Sequence, residues 1–176
     1  GDVRVEAREA AAILSGAGAV GGAGTGLAVA GTTVVNVIND QTLASIREAN
    51  VRATAAPTGG GGVYVNAQNI AEAWGAAGVI AAAGSGGGLG GAVAINIRAN
   101  VTLAEIAGPS TLASVGHLFT GADIAAGSLS VMARDSGHSG AFGVAGAGSG
   151  TVGLSTTLPI NVVANQTIAR IGGASQ

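Results

Sequence analysis

The chain has 176 residues, 9% of them charged against about 25% in ordinary domains, with a net charge of −2 and no cysteine. That composition excludes a disulfide framework and a thiol metal site, and it leaves no basic cluster to neutralise nucleic-acid phosphates. Apolar residues reach 48% while aromatics are only 2% and glycines number 33, so any interior must be thin and filled by small or β-branched side chains.

The first predicted element is GDVRVEA from Gly1, which alternates with period two. Val3, Val5 and Ala7 fall on one side, and Asp2, Arg4, Glu6 and Arg8 on the other. A Gly-Ala stretch follows, uncharged from residue 10 to 39. It is long enough for the roughly 20 residues of a membrane helix. Glycine at every second or third position, with amphipathic strands on both sides, predicts tightly turned strands instead. Inside it, Gly16-Ala17-Gly18-Ala19-Val20-Gly21 spells G-x-G-x-x-G with Asp40 beyond it. A dinucleotide site needs that turn between a buried strand and a helix. The flanking residues make a poor strand and a poor helix, so chance is the better explanation in so glycine-rich a segment.

The phrase VNVINDQTLASI then spans Val35 to Ile46, and it returns as INIRANVTLAEI (Ile95 to Ile106) and INVVANQTIARI (Ile160 to Ile171). Its asparagines, Asn36, Asn96 and Asn161, recur at spacings of 60 and 65 residues. The opening strand recurs too, as GGVYVNA from Gly61 and GSLSVMA from Gly127. Three imperfect repeats result, at about 1–60, 61–126 and 127–176, each leaning on its neighbours to bury an apolar face. We expect parallel strands making two or three turns of chain per repeat, within a longer array of which this chain is a fragment. Alternation places Val35, Val37, Ile95, Ile97, Ile160 and Val162 in the core, with Asn36, Asn96, Arg98 and Asn161 outside. After a turn at Asp40, Asn100 and Asn165, residues Ala44, Ile46, Ala104, Ile106, Ala169 and Ile171 face in. Ser45, Glu105 and Arg170 face out. Leu43, Leu103 and Ile168 share that outward parity, so they are an exposed apolar ladder or are covered by another segment.

The second linker is longer than the first: Ile46 to Val65 is 19 residues, and Ile106 to Val131 is 25. The insertion carries His117 and Phe119, the latter in a chain almost without aromatics. Insertions escape the constraint of stacking. The candidate partner contacts are therefore His117 and Phe119 of this loop and the Leu43, Leu103 and Ile168 stripe. Asn100-Val101-Thr102 and Asn165-Gln166-Thr167 are glycosylation sequons, but they coincide with the repeat turn, where Asp40 does the same work without an acceptor. No catalytic residue, cofactor site or metal site is predicted.

GDVRVEA, SGAGAVGGAG and VNVINDQTLASI, with their later copies, together resemble the repeats of large secreted bacterial adhesins. These are the filamentous-haemagglutinin-like exoproteins and leukotoxin-type filamentous adhesins, exported by two-partner or autotransporter routes. The resemblance implies an all-β, right-handed parallel β-helix (a β-solenoid). It implies a structural stalk or fibre at the bacterial surface or outside the cell, contacting an unknown cell-surface ligand. Stacking leaves open strand edges that are templates for another chain, so self-association is expected as well. The alternatives are a ligand- or ice-binding β-solenoid, because threonines recur, and a membrane-associated or dinucleotide-binding segment.

Overall fold

A computed structural model describes residues 1–47, 49–53, 61–107 and 123–172. Among these the structure is all-β, with no helix. The first repeat supplies β1 (Val3–Thr25), β2 (Ala28–Ile38), β3 (Gln41–Arg47) and β4 (Asn50–Arg52). The second supplies β5 (Gly62–Ser85), β6 (Gly87–Arg98), β7 (Val101–Ala107) and β8 (Asp123–Ala125). The third supplies β9 (Ser128–Ser136), β10 (Ser139–Ser149), β11 (Val152–Val163) and β12 (Gln166–Gly172).

Each repeat contributes to several sheets, and among the described residues every pairing is parallel and joins different repeats. Sheet I contains β1, β5 and the broken line of β9 and β10. Sheet II contains β2, β6 and β11; sheet III contains β3, β7 and β12; β4 and β8 form a short fourth sheet. No described strand pairs within its own repeat. This corrects the expected two or three turns per repeat, because each repeat occupies one level. A parallel pair needs a crossover of a dozen or more residues, and here the rest of the repeat is that crossover.

Register follows the sequence repeat. Val35 lies against Ile95 and Ile95 against Ile160; Leu43, Leu103 and Ile168 align likewise. From the second to the third repeat, sheet I keeps an offset of 66 (Val63 with Leu129) and sheet II one of 65 (Ile95 with Ile160). The difference is absorbed between Ala83 and Gly87, where the third repeat is one residue shorter. Left-handed glycines make these turns: Gly26 has φ 92° and Gly86 φ 134°. A Cβ on Gly86 would lie 2.0 Å from the Gly26 carbonyl oxygen, so the turns stack backbone on backbone.

Sheet I packs along one side of the core, with sheets II and III on the other. Val63, Val65 and Ala67 of β5 meet Ala44, Ile46, Ala104 and Ile106 of sheet III. Farther along β5, Ala77, Val79 and Ala81 meet Ala30, Val34, Ala92 and Ala94 of sheet II. The layers approach so closely there that a Cβ on Gly21 would stand 2.6 Å from the Val29 carbonyl oxygen. The thin interior expected from composition is present. So are the inward Val3/Val5/Ala7 and Val63/Val65/Ala67 faces.

The middle phrase is turned the other way from expectation. Asn36 and Asn96 are 4% and 0% exposed and Arg98 is 7%, whereas Val35 and Val37 are 55% and 56% exposed. Val162 is exposed as well, and Ile95, Ile97 and Ile160 are only half-buried. The turn near Asp40 leaves parity unchanged, so β2 and β3 both bury their even-numbered residues, including Ile38, Thr42, Ala44 and Ile46. Glu105 keeps its outward parity, yet it is fully buried because arginines cover it. Ala169 and Ile171 hold the inward parity but lie in β12, every residue of which is exposed.

Candidate functional site

Turning Asn36, Asn96 and Asn161 inward commits the opposite parity of sheets II and III to the outside. In β2 that face is Val29, Gly31, Thr33, Val35 and Val37. In β6 it is Leu89, Gly91, Val93, Ile95 and Ile97; in β11 it is Leu154, Thr156, Leu158, Ile160 and Val162. The same parity continues into sheet III through Leu43, Leu103 and Ile168. Leu43 is 49% and Ile168 40% exposed, so the sequence-predicted stripe is a row in one register, open to solvent. It is the far end of a larger apolar face. Gly91 leaves a shallow depression of about 350 Å³ walled by Val29, Leu89, Leu154 and Thr156. His117 and Phe119 lie outside the described residues.

One charged cluster closes this face. The guanidinium groups of Arg47 and Arg170 grip Glu105 from the strands on either side, with Nε of each donating to Oε1 at 2.5 Å and Oε2 at 2.7 Å respectively. Burial alone would raise the pKa of Glu105. The hydrogen bonds and positive charges of Arg170 and Arg47 outweigh it and hold the carboxyl below its ordinary value.

Inside, the asparagines form a hydrogen-bonded ladder. Asn36 Nδ2 donates to Asn96 Oδ1 at 2.8 Å, and Asn96 Nδ2 to Asn161 Oδ1 at 3.0 Å. The same amides reach across the core to sheet I, to the carbonyl of Trp74 at 3.1 Å and of Gly140 at 2.6 Å. Gly75 makes the room, because its Cβ would meet Asn96 Oδ1 at 3.0 Å. At the turn a second ladder runs through backbone amides: Asp40 N–H donates to Asn100 Oδ1, and Asn100 N–H to Asn165 Oδ1. Both sequon asparagines are thus used by the fold, and Asn100 is fully buried. Beside them Asp135 accepts from Asn165 Nδ2 at 2.6 Å and pairs with buried Arg98 at 3.4 Å.

Sequence reasoning missed the outer face because it assigned β-branched residues to the interior. The available signal was that asparagine stands unchanged in all three copies while its neighbours exchange valine for isoleucine. Thr42, Thr102 and Thr167 share one register row on the inward parity, where Thr42 and Thr102 are 5% and 0% exposed. Gly16 to Gly21 lie within β1, without the turn and helix that a dinucleotide pyrophosphate needs.

On the opposite side of the molecule, the outer face of sheet I carries Tyr64, Trp74 and Phe142. Arg4 sits 5.0 Å over the Tyr64 ring, and the Trp74 ring lies over Gly140, where a Cβ would be 2.2 Å away. Among the described residues no group of three or more His, Cys, Asp or Glu gathers to hold a metal, and no helix is long and apolar enough to cross a membrane. What the outer face of sheets II and III can do is shed water against another apolar surface. No family model, no curated protein and no solved structure matches this chain.

Proposed function

We propose that the chain is a stalk or fibre segment of a secreted or surface-attached bacterial adhesin, folded as a right-handed parallel β-helix. The observation that carries this reading is that all pairing among the described strands is parallel, in register and between repeats. Such an arrangement extends by adding levels without changing any existing one, which is what a stalk requires. Support also comes from the buried asparagine ladders, which lock each level to the next. The outer apolar face and the sheet I aromatics are surfaces such a stalk offers to partners.

The test is a tandem duplication of the 176-residue chain, followed by small-angle X-ray scattering. Three added levels at the ~4.8 Å strand spacing should lengthen the particle by roughly 14 Å along one axis at constant cross-section. Two units of unchanged length lying side by side would defeat the stalk reading. Antibodies against the chain should label intact producing cells. Labelling only after permeabilisation would overturn the surface assignment.

A further inference from the structure

The outer face of sheets II and III has a hollow toward one end and a ridge toward the other. The hollow, about 350 Å³, lies at Gly91 between Val29, Leu89, Leu154 and Thr156. The ridge is the row Leu43, Leu103 and Ile168, whose outer members are 49% and 40% exposed. Midway between them stand two rows in register, Val35/Ile95/Ile160 and Val37/Ile97/Val162. The face is continuous, because β5 runs unbroken from Val65, beside Ala44 and Ile46, to Val79, beside Ala30 and Val34. Its exposure is lateral: Leu89 belongs to β6, which has a paired strand on each side, and is still 37% exposed.

From the hollow to the ridge, the outward parity carries no charged side chain. Just past the ridge, Arg47, Glu105 and Arg170 form the charged cluster, and two arginines against one glutamate leave it positive. A contiguous apolar face is satisfied by another apolar surface. Here the hollow and the ridge lie equally far from the centre of the face, so they match each other when a second copy is turned end for end.

We propose that two copies of this chain pack through these faces, strands antiparallel, about a two-fold axis near Ile95 and Ile97 of β6. The ridge of each copy then lies over the hollow of the other, and each charged cluster falls beyond the contact, in water. With the strands parallel, ridge would meet ridge and the two positive clusters would be pressed together at a desolvation cost. The contact runs about 50 Å along the strands and about 14 Å across three of them, roughly 700 Å² on each copy. The total of about 1,400 Å² falls within the ~1,200–2,000 Å² of a standard interface. Full overlap needs the two sets of strands near the aligned end of the ~30° range of packed sheets. The asparagine ladder behind this face is the kind of side-chain ladder that flattens a sheet. The contact is isologous, so it closes at two copies. It names the partner of the apolar face and does not require the levels to form a stalk.

Sedimentation equilibrium of the intact 176-residue chain over a concentration series tests this. The expected result is a monomer–dimer equilibrium that stops at two copies. Val35→Glu and Leu154→Glu add charge at side chains already more than half exposed. Each should weaken the dimer at least tenfold while leaving the circular dichroism spectrum unchanged. Leu14→Glu, 86% exposed on sheet I, should leave it intact. Gly91→Leu is the discriminating variant, since a Cβ there has only Thr156 Cγ2 within reach, at 4.0 Å. It enlarges the apolar surface, so indiscriminate association would tighten, whereas a ridge seated in the hollow would be blocked and the dimer weakened tenfold or more. A chain monomeric at every concentration overturns the proposal. So does an open series of species that persists in Val35→Glu and Leu154→Glu, or a Gly91→Leu chain that pairs as tightly as before. Repeated in the Val35→Glu background, the tandem duplication reports length without lateral pairing, so this proposal and the stalk reading fail separately.

Discussion

Asn96 is hydrogen-bonded on both sides and across the core, so its amide cannot be removed without leaving buried groups unpaired. Asn96→Ala should cost about 2–3 kcal/mol in chemical denaturation, from an unsatisfied Gly140 carbonyl and the cavity left behind. Asn161→Ala, at the exposed end, should cost less than about 1 kcal/mol. Asn69 is the converse case. It is fully buried, and neither of its amide atoms has a partner. Asn69→Leu should therefore leave the denaturation midpoint unchanged or raise it. A drop would show that a bridging water satisfies the amide. Glu105 sets the acid limb of stability. Its folded pKa lies below the ordinary glutamate value, so between the two values the unfolded chain binds a proton that the folded chain refuses. Its contribution is complete above about pH 4.5 and is lost as pH falls through the folded value. Glu105→Gln should flatten that limb in a pH series of thermal melts. The inward faces of β1 and β5 were legible in the sequence because small apolar residues alternate there with charged residues in β1 and with Tyr64, Asn66 and Gln68 in β5. Asn36 and Asn96 were not, since an asparagine reads as a surface residue until its partners, 60 and 65 residues away, are known.

At the scale of elements, the strands and their order could be read from the repeat, but the length of β1 and β5 could not. Glycine normally argues against a strand interior. Here the opposing layer is so close that a Cβ on Gly21 would meet the Val29 carbonyl oxygen at 2.6 Å, and one on Gly75 would crowd the amides of Asn36 and Asn96. The break between β9 and β10 is another feature no pattern announced. Gly137 has φ 151°, and a Cβ there would lie 1.8 Å from the Ala71 carbonyl oxygen. Gly137→Ala should cost at least about 2 kcal/mol. Gly78→Ala, with nothing within 4 Å of the new methyl, should be neutral or slightly stabilising. Equal midpoints for the two variants would contradict the packing at the break.

Across the whole molecule, stability should be graded along the stack rather than uniform. β5, β6 and β7 have neighbours on both sides, while every residue of β12 is exposed. Amide exchange should be slowest in the second repeat and fastest in β12, a gradient expected of nearest-neighbour stacking. A flat protection profile would mean that the repeats open as one unit. The repeat count and strand order were visible in the sequence because the copies are similar. That each repeat makes a single level was not, because nothing local distinguishes a strand that pairs with its sequence neighbour from one that waits 60 residues for its partner.

The single level per repeat has a mechanical consequence. A repeat of about 60 residues adds only one strand spacing, ~4.8 Å, to the height of the stack. Pulled straight, the same segment spans roughly 200 Å. Tension along the axis acts perpendicular to the strands and loads the ladder bonds in sequence from an end, so levels should peel off singly at low force. Each detached level would pay out some forty times its folded height, making the array a store of slack that yields under load and rewinds when released.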